Sequence, residues 1–273
     1  MLEAGRAPGA GPAREAAGDQ AAGLRKLFGP HLPRWLPILL ATGREAAHGT
    51  WLARFARCCV GQGDRTLIVD AARTQVATVF GLRLRYDLQH AFSGDCIPDA
   101  ARVKAAENLT ILPAARAFEQ IGATPEGARR FEMGVRAMAE RADCAVLVLP
   151  AVHRQVLAAL GGESGFSDVT VVVGTGPAAV ARCLDTMSAA RGAADIDTFR
   201  LLFQDMDAAS AGRLFPRLAA VAARELDAKV VDGGRVSDPA AIGRLVRAVR
   251  CRLTPGGARP PVDRRGVAVE MGS

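Results

Sequence analysis

The stretch from Leu36 to Thr50 constrains this chain more than any other. An apolar run ends at Ala41, a loop of small and polar residues follows, and Trp51, Leu52 and Phe55 then recur at helical spacing. Strand, phosphate-type loop and helix in that order are the opening of a nucleotide-binding βαβ unit. The next apolar strand, Thr66 to Val69, ends in Asp70-Ala-Ala. Both loops therefore belong at the carboxyl edge of a parallel sheet, where a nucleotide is expected to bind.

The rest of the chain extends this plan. Residues 1–18 are Gly, Ala, Pro and Arg with almost no large apolar side chain, and read as a disordered leader. In residues 19–30, Asp19 is a good N-cap, Gly29 a good C-terminal residue and Pro30 a stop, while Ala21, Leu24 and Phe28 share one face. A helix this short needs a surface to fold on. A strand is expected from Leu109, a helix over 126–141 with Phe131, Val135 and Met138 inward, a β-branched strand over 169–176, a helix over 214–226 with Pro216 near its start, and a short strand at 229–231. The closing helix after Asp238 carries Ile242, Leu245, Val249 and Leu253 on one side with arginines around them. That stripe reads as core packing, with an acidic membrane surface as the alternative. Residues 255–273 are Pro/Gly-rich and polar and read as a disordered tail.

Composition narrows the function classes. The 273 residues are 49% hydrophobic and show no interior linker, which suits one α/β domain over 31–254. The longest apolar runs are too short for a bilayer and no secretory signal is visible, so the expectation is a cytoplasmic protein, with peripheral contact at the inner face of the cell membrane left open. The six cysteines show no metal-ligand or disulfide spacing, and read as packing residues; the adjacent Cys58-Cys59 pair is the one redox candidate. The four histidines lack a triad pattern and read as surface or packing residues. A net charge of +7 invites an anionic partner, yet its arginines are spread without interleaved aromatics, so no specific nucleic acid is expected.

The loop Ala41-Thr-Gly-Arg-Glu-Ala-Ala-His-Gly-Thr50-Trp51 resembles the deviant phosphate loop of the MinD/ParA family of P-loop ATPases, S/T-G-K-G-G-x-G-K-T-T. On that resemblance Thr42 and Gly43 are the opening pair, Arg44 replaces the signature lysine, Glu45, Ala46 and His48 replace glycines, Gly49 replaces the phosphate lysine, and Thr50 keeps the magnesium-ligand hydroxyl. Asp70 is kept from the family's D-A-D, but Ala72 replaces its second aspartate, and Leu149 stands where a magnesium-linked aspartate belongs. Gln204 falls near an adenine-reading asparagine. The resemblance thus implies a vestigial nucleotide site at Gly43, Arg44, Gly49, Thr50, Asp70 and Gln204, with no catalytic residue and no metal ligand. No cofactor is expected, and ATP with magnesium is the option should the loop still function.

A second resemblance lies upstream. Asp19-Gln-Ala-Ala-Gly-Leu-Arg25 is similar to the D-Q-A-x-x-L-R activator motif of FlhG-type flagellar-number regulators, a MinD/ParA branch. It implies that Asp19, Gln20, Ala21, Leu24 and Arg25 bind and stimulate an FlhF-type GTPase, with flagellar basal-body components as further partners. The expected fold is a doubly wound, mainly parallel α/β domain of the MinD/ParA P-loop NTPase type with disordered termini. Three functions stay open: a regulator of flagellar number or placement whose own ATPase is lost, a working membrane-cycling ATPase, and a nonspecific DNA-binding ParA relative.

Overall fold

The computed structural model describes residues 33–121, 124–150, 155–159, 168–194 and 196–251. The leader, the 19–30 segment with Asp19, Gln20, Ala21, Leu24 and Arg25, and the tail lie outside the described residues.

Eight strands form one sheet: β1 (Arg34–Ala41), β2 (Thr66–Asp70), β3 (Val103–Ala106), β4 (Leu109–Pro113), β5 (Cys144–Leu149), β6 (Asp168–Val173), β7 (Thr198–Phe203) and β8 (Lys229–Arg235). Their order is β3-β4-β2-β5-β1-β6-β7-β8. Every pairing is parallel except β3 with β4, which is antiparallel. The longer helices are α1 (Gly49–Gly61), α5 (Pro125–Ala139), α6 (Pro177–Ala193), α7 (Ala208–Leu226) and α8 (Pro239–Cys251); α2 (Val76–Val79), α3 (Leu88–Ser93) and α4 (Ala115–Ile121) are short.

The sheet is buried on both faces because β1 is apolar at every position from Trp35 to Ala41, as a central parallel strand requires. Leu36, Ile38 and Leu40 face one layer, where they meet Trp51, Leu52 and Phe55 of α1 and Ile242, Leu245 and Val249 of α8. Trp35, Leu39 and Ala41 face the other, with Phe118, Phe131, Met187 and Leu218. The apolar stripe of α8 is thus committed to the core, with Ile242, Leu245 and Val249 nearly inaccessible. No helix among the described residues is long and apolar enough to cross a membrane.

Chain direction sets where a ligand would lie. From β1 the chain crosses toward β2 on one side, and from β6 toward β7 on the other. The carboxyl ends of β1 and β6 therefore flank a topological switch point, the crevice in which open α/β sheets hold ligands. Two loops meet there, and a Cβ on Gly174 would lie 3.4 Å from Thr42, so a small residue at the end of β6 lets them close.

Several boundaries differ from the sequence expectation. α7 begins at Ala208 because Asp207 caps it, accepting from the Ser210 N–H at 2.8 Å. Pro216 consequently lies inside that helix. β8 runs to Arg235 through an irregularity at Gly233-Gly234; a Cβ on Gly233 would lie 2.6 Å from the Leu201 carbonyl, and Gly234 has φ +85°. β3 and α6 went unpredicted.

One carboxylate organises the segment after β2. Asp87 accepts from the N–H of Gln89 at the start of α3, and from the N–H groups of Arg116 and Ala117 at the start of α4. It therefore caps two helices at once. Asp87→Ala is expected to lower unfolding stability by about 2 kcal/mol, with Asp87→Asn losing less because its amide oxygen still accepts. Urea unfolding midpoints of the three proteins check this.

Candidate functional site

After Ala41 the backbone turns at Gly43, whose φ is +68°, and the Arg44 N–H donates to the Thr42 hydroxyl at 3.3 Å. A 3-10 turn over Glu45–His48 runs directly into α1 at Gly49, without a side-chain cap at either start. The segment is a tight turn feeding a helix.

His48 is fully buried within it. The Trp51 indole N–H donates to His48 Nδ1 at 3.0 Å, and Nε2 lies 2.8 Å from the Thr42 hydroxyl. An indole nitrogen can only donate, so Nδ1 accepts, the ring proton sits on Nε2, and the imidazole is neutral. Burial pushes its pKa down to about 4, against a smaller upward pull from Asp205. The ring also meets Trp51 edge-on, with centroids 6.1 Å apart. Thr42, His48 and Trp51 thus form a hydrogen-bonded chain through the base of the loop.

Gly49 is locked from the other side. A Cβ there would lie 2.8 Å from the Thr74 carbonyl oxygen and 3.0 Å from the Gln75 carbonyl carbon and oxygen. Those atoms are held by Asp70, whose carboxylate accepts from the N–H of Ala72 at 3.1 Å, the N–H of Thr74 at 3.0 Å and the Thr74 hydroxyl at 2.9 Å. Arg73 and Gln75 in the same turn have left-handed backbones, φ +55° and +61°. Burial holds the Asp70 carboxyl above its usual range even though these bonds to Thr74 and Ala72 favour the charged form. No side chain at position 49 fits this arrangement, so the lysine that the resemblance would place there has no room.

The other residues singled out in the sequence take varied positions. The Arg44 side chain is exposed and makes a long contact of 3.4 Å to Asp205, itself exposed, so the pair is weak. Thr50 is exposed on the first turn of α1, while Ala72 and Leu149 are buried. Gln204 is 4% exposed; its N–H donates to the Val173 carbonyl at 2.9 Å, and its Oε1 is buried without a partner among the described residues. Gly43, Arg44, Gly49, Thr50 and Asp70 are therefore brought to one edge, with Gln204 joined to them through its neighbour Asp205. Residues that sequence reasoning missed complete the group. Thr74 closes the Asp70 turn, and the Arg182 guanidinium from α6 donates to the carbonyls of Ala41 at 3.4 Å and Thr42 at 3.1 Å. The spacing Asp70…Thr74 was a readable signal for the first; nothing in the sequence marks Arg182.

Phosphate cradles use backbone N–H groups freed by glycine together with a lysine charge. Here the loop's base is filled by an imidazole, its mouth is flanked by a guanidinium already spent on carbonyls, and its last residue admits no side chain. Among the described residues no group of three His, Cys, Asp or Glu could hold a metal ion. These residues do not form a backbone cradle with a lysine at its end.

The sheet order and the β1–loop–α1 unit define a doubly wound P-loop NTPase-type domain. Solved structures place it with MinD/ParA-type proteins in fold. MinD from Aquifex aeolicus superposes with a TM-score of 0.54 at 14% identity, covering 82% of this chain and 99% of that one. Cobyrinic acid a,c-diamide synthase from Mycobacterium smegmatis gives 0.56 at 19% identity, covering 83% and 98%. An ATP complex of a McdA variant from Cyanothece gives 0.55 at 14%, covering 81% and 89%. No family model matches the chain, and no curated protein matches it by sequence.

Two outcomes test this geometry. Gly49 has ordinary helical dihedrals, φ −55° and ψ −43°, where Gly→Ala normally stabilises a helix by roughly 1 kcal/mol. Gly49→Ala is expected to do the reverse and destabilise by about 2 kcal/mol, because the Cβ collides with backbone that cannot swing aside. Thermal or urea unfolding reads the sign directly.

The second concerns pH. A histidine whose folded pKa lies below its unfolded value leaves the folded state short of a proton as acid is added. Its contribution is whole above pH 6.5 and is lost as pH falls to about 4, amounting to about 3 kcal/mol. Asp70, shifted upward, acts in the opposite direction over acidic pH, so the comparison with His48→Gln isolates the imidazole. Urea unfolding at pH 7, 5.5 and 4 should show a steeper fall for the native chain than for His48→Gln.

Proposed function

We propose that this chain is a regulator of the FlhG type, setting flagellar number or placement by binding and stimulating an FlhF-type GTPase through residues 19–30, with its own ATPase lost. The observation that carries the reading is the pairing of a D-Q-A-x-x-L-R-like segment with a MinD-type domain whose position 49 has no room for the phosphate lysine. A protein of this fold acts beside a partner elsewhere: MinD of Aquifex aeolicus forms a complex with MinC. In this proposal Leu24 anchors the short helix in an apolar pocket of the GTPase. Gln20 and Arg25 present fixed polar groups to its phosphoryl-transfer site, where an arginine acts on transition-state charge. The α/β domain is then a carrier that localises the helix, with basal-body components or the cytoplasmic membrane face as its anchor.

GTP turnover by an FlhF-type GTPase is the test. The full chain should stimulate it equally with and without ATP. Gln20→Ala and Arg25→Ala should reduce the maximal rate, while Leu24→Ala should weaken binding by about 2 kcal/mol and leave the saturated rate closer to native. A chain beginning after Pro30 should not stimulate; equal stimulation by that truncated chain would overturn the proposal and place the activity on the domain surface.

A further inference from the structure

A second cleft opens at the same sheet edge, beyond β2 and β4, with a volume of about 280 Å³. None of the residues from Thr42 to Thr50 lines it, so it is separate from the loop after β1. Its walls include Asp70, Arg73, Arg85, Tyr86, Asp87 and Arg116.

What such a cleft attracts depends on which of these charges are already answered. Asp70 is bonded to its own turn, through Ala72 and Thr74. Asp87 is bonded to the N-terminal N–H groups of α3 and α4, whose positive dipole ends offset its charge. Arg73 pairs with Glu119 at 2.6 Å. Arg85 and Arg116 remain: both are exposed, and neither makes an ion pair among the described residues. Two guanidinium groups without a counter-ion among the described residues thus border a concave surface whose acids are occupied elsewhere.

The cleft also has a flat apolar side. The Arg85 guanidinium lies 5.0 Å from the centre of the Tyr86 ring, and Leu84, also at the wall, is 46% exposed. The left-handed turn at Arg73 and Gln75, held by Asp70, brings both of those residues to the wall; strained backbone of this kind persists where its surroundings enforce it. The volume of about 280 Å³ lies just under the roughly 300–1,000 Å³ of typical ligand clefts. It is too small for a nucleoside triphosphate and suited to a compact molecule.

We propose that this cleft binds a small phosphomonoester, its dianion against Arg85 and Arg116 and its ring or apolar group against Tyr86 and Leu84. Planar guanidinium groups favour phosphate through paired N–H donors, and two positive charges without an ion pair among the described residues match the two negative charges of a monoester. The site is independent of the GTPase-directed role proposed above.

Calorimetric titration of the full chain at low ionic strength with phenyl phosphate, inorganic phosphate and benzoate tests this. Phenyl phosphate is expected to bind at least tenfold tighter than either of the others. The double variant Arg85→Gln/Arg116→Gln should weaken it at least tenfold, whereas Arg44→Ala should leave it within twofold. Both arginines are exposed, and an unchanged melting temperature confirms that the double variant is folded; should it not be, the single variant Arg116→Lys, with binding reduced but retained, carries the same comparison. Unaltered binding in the folded variants, equal weakening by Arg44→Ala, or benzoate binding as tightly as phenyl phosphate would overturn the proposal.

Discussion

The buried carboxylate of Asp70 is the interaction on which the carboxyl edge of this sheet depends. Three donors from Ala72 and Thr74 converge on it, and they hold the turn after β2 in a conformation that includes two left-handed residues. That turn presses its Thr74 and Gln75 carbonyls onto Gly49 and so fixes where α1 can begin. The same turn brings Arg73 to the second cleft. Burial disfavours the charge and the N–H bonds favour it; the net upward shift means that the carboxylate costs stability at neutral pH while specifying geometry. Asp70 is where the nucleotide-binding family keeps an acid, yet in this chain its lone pairs are taken up by the turn.

The loop after β1 is held by its own side chains. In a phosphate cradle the backbone N–H groups at the head of the helix are answered by phosphate oxygens. Here the chain enters α1 through a 3-10 turn, and the volume under it holds His48, bonded on both ring nitrogens. The imidazole must be neutral for this, since one nitrogen accepts from Trp51. The pair His48 and Trp51 therefore stands or falls together: changing one leaves a buried polar atom of the other unanswered, at a cost of roughly 1–3 kcal/mol. The larger side chains of this loop satisfy one another.

Much of this was legible in the sequence and part of it was not, for definable reasons. β1, β2, β4, β5 and β6 are largely apolar runs bounded by loop residues, β7 is apolar apart from Thr198 and Arg200, and a strand buried on both faces reads that way. β3 is four residues, Val-Lys-Ala-Ala, half exposed on the sheet's edge, with too little apolar content to register. α6 is rich in alanine and small polar residues and lacks a clear apolar stripe, so periodicity passes over it. The start of α7 was misplaced because Pro216 reads as a first-turn residue, whereas the Asp207 cap lies farther upstream. At the site, the residues named from the loop pattern do converge, because one βαβ unit carries them. Arg182, Asp205 and the sealing of Gly49 arise from contacts across the sheet edge, which no local pattern encodes.

The two sheet faces explain why such changes at the edge leave the domain intact. Alternate residues of β1 bury into separate layers, one formed with α1 and α8 and the other with helices from α4 to α7, and neither layer includes a residue whose burial depends on a bound phosphate. Nucleotide binding stabilises a fold only by mass action on top of that core. The sheet therefore stands on its two apolar layers, and the loops at its carboxyl edge are positioned by their own buried hydrogen bonds.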